Sequence, residues 1–137
     1  MADLRRFLDA QQRDFANALK EITNGQKRSH WMWYIFPQVA GLGYSEMAKR
    51  YAIKDREEAI AYLSHPVLGK RLVEIAQALL HIPTDNAIQV MGSPDDLKLR
   101  SSMTLFALLP GADPVFEAVL QKFYDGKKDA ATLQLLQ

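Results

Sequence analysis

The clearest pattern in this sequence is the recurrence of apolar residues at spacings of one, three, four and seven positions, with polar residues between. In the first segment these apolar residues are Leu4, Phe7, Leu8, Phe15, Leu19 and Ile22. The spacing places them on one face of an α-helix, because an α-helix repeats every 3.6 residues. Asn24 and Gly25 follow, and both tolerate the left-handed backbone that often ends a helix. The pattern predicts an amphipathic helix over 4–23.

Start and stop signals divide the rest of the chain into further helices. N-caps are predicted where a side-chain oxygen can accept a bond from the first turn, at Ser45, Asp55, Thr84, Ser93 and Asp129. Pro66 and Pro114 suit the first helical position, and Gly92 and Gly126 end the segments before them. We therefore predict an all-α fold, with about eight short helices in one compact domain over residues 1–137.

The segment from His30 to Phe36 is dense in aromatic residues and contains both tryptophans of the chain. Ser29 is a suitable N-cap for this segment, and Pro37 would end a helix. A helix is favoured over a strand, because no pairing strand is evident elsewhere in the sequence. Trp31 and Trp33 are two positions apart and cannot share a helical face. At least one of them is expected to border a groove or a loop.

Composition and charge exclude several classes of function. Lys and Arg number 17 against 16 Asp and Glu, and the net charge of +1 gives no general attraction to nucleic acid or anionic lipid. No cysteine is present, which excludes disulfides, thiolate metal ligands and a cysteine nucleophile. The three histidines lack metal-ligand spacing, and no apolar run approaches the ~20 residues of a membrane span. We expect a cytoplasmic protein without metal, cofactor, membrane or nucleic-acid partner.

The stretch 26–45 is the first candidate binding region. Its aromatic side chains suit the stacking of a planar ligand, with His30 and Gln38 as hydrogen-bonding groups and Lys27 or Arg28 at the rim. Its glycines precede a predicted helix and could present backbone N–H groups to an anion, although no complete phosphate-binding motif occurs. The alternative is that the aromatics fill the core and the glycines form a tight capped loop.

The start of the helix after Ser93 is the second candidate region. Asp96 and Arg100 are four residues apart and are expected to pair on the helix surface. Ser101 follows the apolar face, which predicts a buried hydroxyl that either bonds back to the helix or serves a site. Across both regions, the residues predicted to contact a ligand are Lys27, Arg28, His30, Trp31, Trp33, Gln38, Gly41, Gly43, Ser45, Asp96, Lys98 and Ser101.

Several of these motifs together resemble a known family. Ser29 to Gln38 and Gly41 to Ser45 are closely similar to the signature of an uncharacterised bacterial family, labelled domain of unknown function 1810. Further matches lie at Glu58, Ala59, Tyr62, Leu63, His65 to Gly69, Asp96, Lys98, Ser101 to Phe106, Asp129, Thr132 and Leu133. The resemblance implies a mostly helical fold and supplies no established activity or catalytic residue. Some members carry the name calpastatin, which does not fit, because inhibitors of that kind are repetitive and largely disordered.

The sequence leaves several kinds of function open. The leading hypothesis is a domain, monomeric or weakly homodimeric, that binds a small planar or nucleotide-like ligand around His30 to Gln38. A fainter resemblance, carried by His30 with its aromatics and by 116–123 and 133–136, is to a helical family that cleaves N-glycosidic bonds in NAD- and ADP-ribose-type compounds. It implies an enzyme of that kind as a second hypothesis. A third is a protein-interaction module with exposed aromatics as its hot spot, and a fourth is a purely structural role for the aromatic segment.

Overall fold

The computed structural model describes residues 3–137, and within this range the chain forms nine α-helices. They are α1 (Arg5–Thr23), α2 (Met32–Ile35), α3 (Glu46–Arg50), α4 (Arg56–Ser64), α5 (Leu68–His81), α6 (Ala87–Met91), α7 (Asp95–Ala107), α8 (Val115–Tyr124) and α9 (Ala130–Leu135). The predicted all-α fold is confirmed, with one helix more than the predicted number. In the same range, no helix combines the length and the hydrophobicity needed to cross a membrane.

The hydrophobic core lies between the longer helices. α5 packs against α1, α4 and α8, while α7 packs against α6, α8 and α9. The buried side chains of α5 recur at three- and four-residue intervals, as expected for one face of a helix. Aromatic rings in mutual contact run through this core, namely Phe7, Tyr62, Phe106 and Phe116. The apolar stripes of the sequence thus become the buried faces of the helices.

α4 and α5 meet at a close backbone contact near the start of α5. A Cβ atom placed on Gly69 would lie 2.0 Å from the carbonyl oxygen of Leu63. Carbon and oxygen atoms do not approach so closely without a bond, and a backbone oxygen at a helix end has little room to move. Glycine at position 69 therefore allows the two helices to pack at this distance.

Of the N-caps predicted for α3, α4, α6, α7 and α9, two are wrong and three are confirmed. Ser45, Asp55 and Asp129 each accept a hydrogen bond from the backbone N–H three residues later. α6 is capped by Asn86 instead of Thr84, because the Thr84 hydroxyl accepts the N–H of Asn86. α7 has no side-chain cap, so Ser93 does not have the predicted role.

A short backbone pairing fixes the loop that follows the aromatic segment. Val39 and Ile53 form an isolated parallel bridge. The N–H of Ile53 donates to the carbonyl oxygen of Gln38, and the N–H of Ala40 donates to the carbonyl oxygen of Ile53, each over 2.8 Å. This pairing holds the start of the glycine loop against the residues that follow α3.

Candidate ligand-binding site

The approach to the aromatic segment is organised by one buried carboxylate, that of Glu21 on α1. Its oxygens accept hydrogen bonds from the N–H groups of Arg28 and Ser29, at 2.7 and 3.0 Å, and from the Ser29 hydroxyl at 2.6 Å. The indole N–H of Trp31 donates to the same carboxylate. Ser29 was predicted to cap α2, and that prediction is wrong. Its hydroxyl donates a hydrogen bond to Glu21, and α2 begins after Trp31.

The hydrogen bonds keep Glu21 charged although its side chain is buried. Burial raises the pKa of this carboxyl, but the bonds from Ser29, Arg28 and Trp31 outweigh that effect and lower the pKa to about 2. Sequence analysis missed Glu21, because a single acidic residue in the last turn of an amphipathic helix has no distinguishing local signal. Its importance comes from the folding of 28–31 back onto α1.

Trp31 and Lys27 are placed in the interior by this arrangement. The Trp31 side chain is 1% exposed and packs against the ring of Phe36. The Lys27 ammonium lies 3.0 Å from a carboxylate oxygen of Asp95 and 5.0 Å from the centroid of the Trp31 ring, and it donates to the carbonyl oxygen of Ser29. Both predicted site residues thus join the 26–31 segment to the start of α7.

Trp33, two residues later, lines a cavity of about 220 Å³. Its side chain is half-buried, whereas its aromatic neighbours in the segment are buried. Three more of the predicted residues, Gln38, Gly41 and Gly43, line the same cavity. Sequence analysis missed four residues that complete this wall from α3 and the two residues after it, namely Ala48, Lys49, Tyr51 and Ala52. They carry no signal of their own and are brought to the cavity by the loop between Gly41 and Ser45.

The two glycines allow this loop to lie close to its neighbours. Gly41 has a φ of +106°, a left-handed value that favours glycine, and a Cβ there would come within 3.2 Å of the Leu135 side chain on α9. A Cβ on Gly43 would lie 2.6 Å from that of Ala48. Ser45 is exposed and caps α3 through the N–H of Ala48. The cavity therefore depends on tight contacts of the loop with both α3 and α9.

The basic and polar residues predicted around this region are divided between several places. Lys98 lies beside the cavity wall, with its ammonium 5.7 Å from the centroid of the Trp33 ring and 3.8 Å from Asp95. His30 is exposed, and the lining of the cavity includes neither His30 nor Arg28. The Arg28 guanidinium is also exposed and donates to the side chain of Gln26.

Ser101 connects α7 to the C-terminal helix. Its hydroxyl lies 3.0 Å from a carboxylate oxygen of Asp129 and 3.2 Å from the carbonyl oxygen of Leu97. The same carboxylate accepts from the N–H and the hydroxyl of Thr132, at 3.1 and 2.5 Å. Ser101 thus has the buried hydroxyl that its position predicts, and its bonds secure α9 next to the loop that contains Gly41.

Asp96 does not pair with Arg100, and that prediction is wrong. The Arg100 guanidinium donates to the carbonyl oxygens of Lys127 and Lys128, at 2.8 and 2.9 Å, because the chain after α8 passes across this face of α7. Asp96 is buried, and its Oδ1 makes no hydrogen bond to the residues that the structure describes. Its carbonyl oxygen accepts from the hydroxyl of Tyr124, and burial raises the pKa of that hydroxyl.

Comparisons with known proteins agree with this fold. A family model described as "Protein of unknown function (DUF1810)" matches residues 1–136. The chain is similar to a conserved hypothetical protein of Mycobacterium tuberculosis, whose crystal structure has a TM-score of 0.95 and 46% sequence identity, over 98% of this chain and 96% of that one. A search of curated proteins gave no match.

Proposed function

Because the chain belongs to the DUF1810 family of proteins of unknown function, as its motifs predict, we propose a function from the geometry of its own cavity. The protein binds a small planar ligand beside Trp33, with the Gln38 amide as the hydrogen-bonding group. The observation that carries this proposal is the position of Trp33. It is the half-buried aromatic residue of the segment 31–36, and its side chain lines the cavity.

The cavity size and its wall support a ligand with one ring system. About 220 Å³ is below the usual range of roughly 300–1,000 Å³ for the sites of drug-sized ligands. The indole ring of Trp33 offers an aromatic wall for stacking. The Gln38 amide can both donate and accept, while its backbone is fixed by the pairing with Ile53. A fixed backbone with a polar side chain at the wall is suited to orienting a ring.

Binding is better supported than hydrolysis of an N-glycosidic bond. Among residues 3–137, no Asp, Glu or His lines the cavity, and these are the residues that most often act as general acid or base. His30, the residue through which the fainter family resemblance suggested an enzyme, is outside the lining. A protein-interaction module has weaker support, because Trp31, Tyr34 and Phe36 are buried and cannot form an exposed hot spot.

The proposal is tested with a thermal-shift screen of nucleobases, nucleosides and single-ring aromatic compounds. Any compound that raises the melting temperature is then titrated against the wild type and two variants, Gln38→Leu and His30→Gln. A ligand at 100 times its dissociation constant adds about 2.7 kcal/mol of stability. We expect Gln38→Leu to reduce this gain and His30→Gln to retain it. Equal gains in all three proteins, or no stabilising compound in the screen, would contradict the proposal.

A further inference from the structure

The charges around the cavity identify the class of ligand more closely. We infer that the planar ligand carries an anionic group, a carboxylate or a phosphate, which is bound by the ammonium groups of Lys49 and Lys98. This inference rests on the proposed function, since it concerns the same cavity. It is carried by two separate features, a lysine in the cavity lining and a partly exposed lysine close to the Trp33 ring.

The first feature is Lys49, which is the one charged residue in the cavity lining within the part of the chain that the structure describes. It lies in the last turn of α3, and none of the ion pairs formed within residues 3–137 involves it. Glu46 is three residues earlier on the same helix, a spacing that would allow an ion pair, but no such pair forms. A cavity with a single positive charge and no acidic residue in its wall favours a negatively charged occupant.

The second feature is the sharing of one carboxylate by two lysines next to Trp33. Asp95 is 3.0 Å from the Lys27 ammonium and 3.8 Å from the Lys98 ammonium. The Lys27 side chain is 8% exposed and that of Lys98 is 30% exposed. Lys27 is therefore the closer partner of Asp95, and the Lys98 ammonium is the more exposed of the two, beside the Trp33 ring.

Together these features suit an aromatic ring that bears an acidic substituent. The ring would contact Trp33, and the substituent would extend toward the ammonium groups. A neutral ring would gain the stacking contact and the hydrogen bond with Gln38, without the ion pairs. Ion pairs at partly exposed positions are modest, and each lysine is expected to change the affinity by about fivefold.

The test compares matched anionic and neutral probes. The pairs are benzoate with benzamide, indole-3-carboxylate with indole-3-carboxamide, and adenosine 5′-monophosphate with adenosine. Binding is followed through the NMR signal of the Trp33 indole N–H, identified with the Trp33→Phe variant. We expect the anionic member of at least one pair to bind about 25-fold more tightly, because two ion pairs of about fivefold each are added. The first two pairs report on a carboxylate and the third on a phosphate.

Three variants separate the inference from the proposed function. Lys49→Gln and Lys98→Gln should each weaken the anionic probe about fivefold and leave its neutral partner unchanged. Lys20→Gln, at an exposed position on α1, is the matched control and should change neither. If anionic and neutral probes bind equally well, the inference is wrong and the proposed binding site stands. If no probe shifts the Trp33 signal, both are wrong.

Discussion

The indole N–H of Trp31 donates a hydrogen bond of 2.9 Å to the carboxylate of Glu21. A buried tryptophan needs a partner for its N–H, and α1 supplies one through a carboxylate that is itself buried. The bond holds Trp31 in the core, and Trp33, two residues later, is consequently directed to the cavity. The two tryptophans of one short segment therefore have different structural roles.

Replacement of Glu21 by Gln should destabilise the protein strongly. A glutamine has one carbonyl oxygen in place of two charged ones. With that oxygen accepting from Arg28, Ser29 and Trp31, its NH2 group would face two donors of the second carboxylate oxygen, the Ser29 hydroxyl and the Asn17 amide. The loss should be about 2–4 kcal/mol in the free energy of unfolding, since it leaves buried donors unsatisfied. Urea unfolding measures it, with Glu74→Gln as an exposed control on α5. A loss no larger than that of Glu74→Gln would show that the hydrogen bonds to Glu21 contribute little to stability.

The same carboxylate should make stability depend on pH in the acidic range. The pKa of Glu21 is about 2 in the folded protein and close to the ordinary glutamate value of about 4.3 in the unfolded chain. A lowered folded-state pKa contributes stability that is complete above about pH 5 and is lost as the pH falls toward about 2. This contribution is on the order of 3 kcal/mol.

Urea unfolding at a series of pH values measures this dependence. The stability of the wild type should fall more steeply than that of Glu21→Gln between about pH 5 and pH 2, because the variant has no carboxyl to protonate at this position. The two curves should approach one another at the acidic end. Curves that run parallel over the whole range would show that Glu21 is not the group responsible.

Replacement of Gly69 by Ala should destabilise the contact between α4 and α5. Helix propensity alone favours Ala over Gly by up to about 1 kcal/mol, but the added Cβ would meet the Leu63 carbonyl oxygen at 2.0 Å. We expect a net loss of about 2–3 kcal/mol. Gly25→Ala is the control, because its Cβ would have no atom within 4 Å and only its φ of +86° is unfavourable, at about 1 kcal/mol. Thermal unfolding of both variants measures the two losses of stability. A larger loss in Gly25→Ala than in Gly69→Ala would contradict the close contact between α4 and α5.

The two tryptophans should differ in their accessibility to a quencher. Trp31 is 1% exposed and Trp33 is half-buried at the cavity wall. Acrylamide should quench the fluorescence of Trp31→Phe, which retains Trp33, more strongly than that of Trp33→Phe, which retains Trp31. Circular dichroism on both variants checks that the helical fold is kept. Equal quenching in two folded variants would show that Trp33 does not face an open cavity.

The helical architecture was predictable because its signals are local. Periodic apolar residues and caps such as Asp55 and Asp129 act within about four residues, so they can be recognised from the sequence alone. The N-cap predictions at Thr84 and Ser93 are wrong because a nearby residue occupies the N-cap position instead. That residue is Asn86 for α6 and Pro94 for α7. In the 84–86 segment the hydroxyl and the amide bond to different N–H groups, and only the folded backbone determines which of them caps the helix.

The sequence by itself determined the fold class, the family and the aromatic region in which a cavity was expected. The tertiary structure decided which of those residues face the cavity. Trp31 and Lys27 are in the interior because Glu21 and Asp95, on other helices, supply their partners. Trp33 remains at the cavity wall, where α3 adds Lys49. Contacts between residues far apart in the chain depend on how the helices pack, and local sequence patterns contain no record of that packing.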